Sequence, residues 1–134
     1  MYGPGARVPA DVHRFLTGSI DSVEQLEVLL LVHRTPDRYW DAAGIADHLG
    51  LRQHDVAGLL EALARKNLLD VRLGERIKYR YEPATVSQRD AVQQINELWR
   101  DQRQLIIAAV AIKRHGLSDF SDAFRIRGRG EDRG

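Results

Sequence analysis

Apolar residues change their period along this chain, and the changes mark its elements. The opening MYGPGARVP has two glycines, two prolines and no periodic apolar pattern, so it reads as a flexible arm. Val12, Phe15 and Leu16 then predict a short helix with Asp11 as its cap. Val23, Leu26, Leu29 and Leu30 recur at helical spacing to about His33. Ser22 and Gln25 form a capping-box pattern at the start of that helix, and Pro36 prevents its extension. Arg38, Tyr39 and Trp40 suit a brief edge strand leading into Asp41, the expected cap of the next helix. That helix carries Ala42, Ile45 and Leu49 on one face and ends at Gly50, which supplies the left-handed residue of a common helix terminator. After a short turn, Val56, Leu59, Leu60 and Leu63 define the stripe of a third helix that ends near Asn67.

From there the period becomes two. Leu69, Val71 and Leu73 alternate with Asp70 and Arg72, and beyond Gly74 the residues Ile77, Tyr79 and Tyr81 alternate with Lys78 and Arg80, which predicts a hairpin. Pro83 ends it, and Ser87 with Asp90 is expected to restart a helix that runs to about Arg114. Along that helix Ala91, Ile95, Leu98, Gln102, Leu105, Ala109 and Ile112 keep the alternating steps of a coiled-coil seam, widened by Val92, Trp99, Ile106 and Val110. A small domain has little surface to cover so long an apolar stripe. The expectation is a homodimer held through Ile95, Leu98, Trp99, Leu105, Ile106 and Ile112; the alternative is that the helix folds back on its own domain. Leu117, Phe120 and Phe124 have the spacing of a short amphipathic helix, and the Arg127 to Gly130 stretch reads as part of a solvated tail.

Composition narrows the function classes. A hydrophobic fraction of 43% and a charged fraction of 29% over 134 residues suit a globular domain with a tail. Without cysteine there are no disulfides, thiol nucleophiles or sulfur-ligated zinc, which fits a reducing compartment; the cytoplasm is the expected location. The first ten residues lack the apolar core of a signal peptide, and the longest uncharged apolar run, Leu105 to Ile112, is too short to cross a bilayer. The five histidines are scattered with no His-Glu-x-x-His pair, no glycine-rich phosphate loop follows a strand, and no serine occupies a nucleophile elbow. No metal, cofactor or enzymatic chemistry is expected.

The stretch DAAGIADHLGLRQHDVAGLLEALARKNLLDVRLGERIKYRYEP resembles the winged helix-turn-helix regulators of the MarR type. The likeness is carried by Ile45 and Leu49 on the first motif helix, Gly50 and Leu51 at the turn, Val56, Leu60 and Leu63 on the second, and Asn67, Leu68 and Leu69 leading into the wing. It implies a mainly α fold with a small β-hairpin, a winged helix-turn-helix followed by a long C-terminal helix. The organisation expected is an arm and short helix over 1–20, the winged domain over 21–83, a long amphipathic dimerisation helix over 84–115, and a short helix with a disordered tail over 116–134. The resemblance further implies a non-enzymatic regulator that binds double-stranded DNA, with the second motif helix in the major groove and the hairpin on phosphate. Arg52, Gln53 and His54 at the motif turn, and Arg72, Arg76, Lys78 and Arg80 on the hairpin, are the expected contacts.

Charge adds a second reading. A net charge of +1 is uninformative alone, but the motif from Asp41 to Asp70 carries three basic residues against five acidic, while the hairpin from Val71 to Glu82 carries four basic against two. Asp55 and Gly58 occupy positions where the regulators that this stretch resembles commonly present small hydroxyl residues and an arginine. An aspartate there accepts from cytosine and repels phosphate, and a glycine presents no side chain. The alternative function is therefore a protein-interaction module that uses the acidic motif helix and has lost DNA.

Overall fold

The computed structural model describes residues 8–111. Ile112, the remainder of the expected helix to Arg114, the Leu117 to Phe124 stretch, the tail and most of the N-terminal arm lie outside the described residues. The elements run α1 (Ala10–Ser19), α2 (Val23–Arg34), α3 (Ala42–Leu49), α4 (Gln53–Arg65), β1 (Leu69–Arg72), β2 (Lys78–Tyr81) and α5 (Val86–Asp101), followed by helical residues 103–111. The fold is mainly helical with one small antiparallel hairpin.

Local chemistry sets most of the boundaries. Ser22 Oγ accepts from the Gln25 amide at 3.1 Å, and Gln25 Oε1 accepts in return from the Asp21 amide at 2.8 Å, one residue before the cap itself. Asp41 Oδ1 accepts from the Gly44 amide at 2.8 Å and starts α3. Gly50 ends α3 at φ 71°, and Asn67, at φ 63°, turns the chain from α4 into the hairpin. Two expected caps are displaced. Asp11 lies within the first turn of α1, which starts after Pro9, so it serves the helix dipole there and pairs with Arg14. The last described cap is Thr85, two residues before Ser87, because Thr85 and Gln88 satisfy each other's backbone amides in a complete capping box.

α2 forms the centre. Leu26 and every residue from Val28 to Val32 are buried, so this helix is apolar on nearly all sides; α3, α4 and β2 pack on it, and so does α5. Ile45 of α3 and Val56, Leu60 and Leu63 of α4 fill one side of the core, while Val12 and Leu16 of α1 meet α5 on the other.

The expected single C-terminal helix is interrupted. Gln102 leaves helical geometry at φ −134°, ψ 45°, and the chain resumes as helix at 103. With no proline or glycine nearby, tertiary burial is the physical reason: the break lets Ile106, Ala109 and Val110 turn into the same core. The seam expected to meet a second copy is also occupied. Ile95, Leu98, Trp99 and Ile106 are buried within the chain itself, and Leu105 is half-buried.

β1 and β2 pair with Val71 opposite Tyr79 and Arg72 opposite Lys78. Trp40 adds a third, one-residue strand: its N–H and C=O both bond to Tyr79 at 2.8 Å. The alternation then sorts the faces. Trp40, Leu69 and Tyr79 are buried against the helices, while Asp70, Arg72, Lys78 and Arg80 lie on the outer face beside Tyr39.

Candidate nucleic-acid interface

α4 begins straight after the turn at Gly50, with Arg52 at its cap position making no side-chain cap bond. Arg52, Gln53 and His54 are exposed there, and farther along the same helix Gly58 and Glu61 are exposed too. Arg52 Nε donates to Asp55 Oδ2 at 3.0 Å, yet its side chain remains 85% exposed. The acid in the first turn thus satisfies the helix dipole and partly neutralises the arginine beside it.

The hairpin tip folds toward this helix. Arg76 Nη1 donates to Asp41 Oδ2 at 2.9 Å, so the Asp41 carboxylate that caps α3 also holds the tip. The Arg76 bond, followed by the Gly44 amide, keeps the Asp41 carboxyl below its ordinary pKa. The consequence is an open cleft of about 400 Å³, bordered by Gln53, Ala57 and Glu61 of α4, Ala42 and Ala43 of α3, and Arg76, Ile77 and Tyr79 of the hairpin. Gln53 and Arg76, distant in sequence, share one depression. Burial, with Glu61 adding to it, pushes the Tyr79 hydroxyl upward, so it stays a neutral phenol at the cleft wall.

The outer sheet face is a second, more rigid cluster. Arg72 and Arg80 stack on Tyr39 with 4.2 and 4.8 Å from guanidinium carbon to ring centre, and Tyr39 Oη donates to Asp70. That hydrogen bond is the main reason the Tyr39 pKa is raised. Arg80 also donates to Glu82 at 2.9 Å, which raises its own pKa further. Arg38 lies 3.5 Å from the ring centre of Trp40. Lys78 is exposed on this face with no ion-pair partner among the described residues.

The expected contacts therefore separate into two groups. Arg52, Gln53, His54 and Arg76 are exposed at the start of α4 or at the hairpin tip, whereas Lys78, Arg72 and Arg80 belong to the outer sheet face, Lys78 exposed, Arg80 held between Tyr39 and Glu82 and Arg72 against the same ring. Sequence reasoning missed Tyr39 and the double role of Asp41. A tyrosine one residue before the core-facing Trp40 of an expected strand must face outward, which is a signal for the first; the second depends on a contact 35 residues away. Among the described residues no three histidine, cysteine or acidic side chains gather as a metal site would require, and no helix is long and apolar enough to cross a membrane. No protein-family model, curated protein or solved structure matches the chain.

Proposed function

We propose that residues 21–83 form a winged helix-turn-helix and that the protein is a non-enzymatic regulator that binds double-stranded DNA. In this reading α3 and α4 are the motif helices, α4 enters the major groove, and β1 and β2 form the wing. The observation that supports it most is that Gln53 at the start of α4 and Arg76 at the hairpin tip line one open cleft. Gln53 and His54 are the side chains placed to approach base edges, glutamine being suited to adenine. Arg52, Arg72, Arg76 and Lys78 supply phosphate contacts.

The ion pairs at Arg52 and Arg76 do not oppose this role. Both arginines are largely exposed, and exposed pairs contribute only about 0–1 kcal/mol, so a phosphate can displace the carboxylate with little loss. Glu61 and the side-chain-free Gly58 limit base readout, which makes the binding weakly sequence-selective. Four phosphate contacts correspond to a slope of roughly −3 to −4 in log affinity against log salt. A fluorescence titration of a mixed-sequence duplex tests this: binding should weaken with that slope, and Arg76→Ala with Lys78→Ala should reduce its magnitude by about 2. No binding at low salt would remove the proposal.

One observation favours a second reading. A groove along α4, bordered by Ser22, Glu24, Leu51, His54, Asp55, Gly58 and Leu59, has an apolar floor and an acidic rim suited to a basic partner segment. Under that reading Asp55→Lys abolishes a protein complex; under the DNA reading it strengthens duplex binding.

A further inference from the structure

β1 is the outer strand of the small sheet, and its free edge is self-complementary. Tyr79 directs both its N–H and its C=O to Trp40, away from β1. Its partner Val71 therefore sits in a non-hydrogen-bonded pair of the hairpin and turns its own N–H and C=O outward. The same phase applies to Leu69, opposite Tyr81, and Leu73 follows the last residue of β1. Among the described residues no backbone group takes up the outward groups of Leu69 and Val71. The edge is also apolar on one face: Val71 is 41% exposed and Leu73 77%. An edge without a backbone partner is a template for strand pairing, and at four residues this one offers a short contact.

Register decides the occupant. In an antiparallel pairing of two copies about a two-fold axis, the outward phase requires odd-numbered residues to face odd-numbered residues. Centred on Val71, the pairing sets Val71 against Val71, Leu69 against Leu73, and Asp70 against Arg72 on both sides of the axis. Shifted by one step either way, it sets Asp70 against Asp70 or Arg72 against Arg72. Opposite charges directly across strands are favourable and like charges are not, so the Val71-centred register is favoured over its two neighbours. The pairing covers the exposed Leu73 with the partner's Leu69 and joins the two hairpins into one sheet.

We propose that β1 pairs antiparallel with β1 of a second copy of this chain about an axis at Val71. The inference concerns self-association alone and stands whether or not the protein binds DNA. A contact one strand long buries well under the roughly 1,200 Å² of a standard interface, so the dimer is weak and concentration-dependent.

Sedimentation velocity of the full chain across micromolar to near-millimolar protein tests it. Wild type should shift from monomer to dimer over that range. Asp70→Arg alone and Arg72→Asp alone each place like charges opposite and should raise the dissociation constant at least about tenfold. An equimolar mixture of the two variants restores opposite charges at both positions and should associate again. Val71→Pro removes an N–H that the hairpin does not use, so it should give a monomer with an unchanged circular dichroism spectrum. A wild type that stays monomeric throughout overturns the proposal. So does association that survives Val71→Pro, or a mixture that fails to associate when both variants are folded.

Discussion

Asp41 joins the fold to the proposed interface, and its substitutions separate the two roles. Its carboxylate caps α3 through the Gly44 amide at 2.8 Å and holds Arg76 at 2.9 Å. Loss of an aspartate cap costs about 1 kcal/mol, and an exposed ion pair contributes about 0–1 kcal/mol. Since the Arg76 side chain is 70% exposed, the lower half of the second range applies. Asp41→Ala should therefore destabilise by about 1–1.5 kcal/mol, whereas Asp41→Asn retains a capping oxygen and should lose no more than about 0.5 kcal/mol. Arg76→Ala should resemble Asp41→Asn. Urea denaturation of the three variants at neutral pH reads the difference. Acid provides a second readout: the Asp41 pKa is lowered in the folded state, so its contribution is complete above the ordinary carboxylate range and is lost as pH falls through the folded value. Asp41→Asn should lack that part of the acid loss. If Asn and Ala variants are equally unstable at neutral pH, the capping role assigned to Asp41 is refuted.

Other positions give independent outcomes. His33 is half-buried, with Nδ1 unpartnered and its ring edge-on to Tyr81 at 5.0 Å; burial, then Arg34, lowers its pKa below the ordinary 6.5. The unfolded chain thus takes up the proton first, and stability should fall as pH drops below 6.5, a dependence that His33→Phe removes in denaturation at stepped pH. Gly58 sits mid-helix with open space where a Cβ would go, so Gly58→Ala should stabilise by roughly 0.5–1 kcal/mol, visible as a higher Tm. Trp40 is 3% exposed and donates from Nε1 to Thr35 Oγ1 at 3.0 Å. Trp40→Ala should cost roughly 3–5 kcal/mol in urea denaturation, and a loss below about 1 kcal/mol would contradict its place in the core.

Features encoded within a few residues were legible in the sequence. Ser22, Asp41, Gly50 and Asn67 act where their chemistry predicts, because a cap or a left-handed turn needs only its neighbours. The hairpin followed from its period of two, and Trp40 joined it as an edge strand. Thr85 was obscured because Ser87 offers similar spacing; the extra bond from Gln88 Nε2 to the Lys66 carbonyl at 2.9 Å favours the earlier cap, and no local pattern encodes it. The break at Gln102 was invisible for the same reason: the coiled-coil spacing continues through it, while burial of Ile106 and Val110 requires the chain to bend. At the candidate interface the residue types were legible, but their pairing was not. Arg76 on Asp41, and Arg72 and Arg80 on Tyr39, are contacts between segments more than thirty residues apart.

The most direct test of the proposed interface is an amide chemical-shift map of the protein titrated with a mixed-sequence duplex at low salt. The proposal predicts that shifts concentrate at Gln53, His54 and Ala57 of α4 together with Arg76 to Lys78 of the hairpin, and recede as salt is raised. Shifts confined to α1 and α5, or none at all, would contradict it.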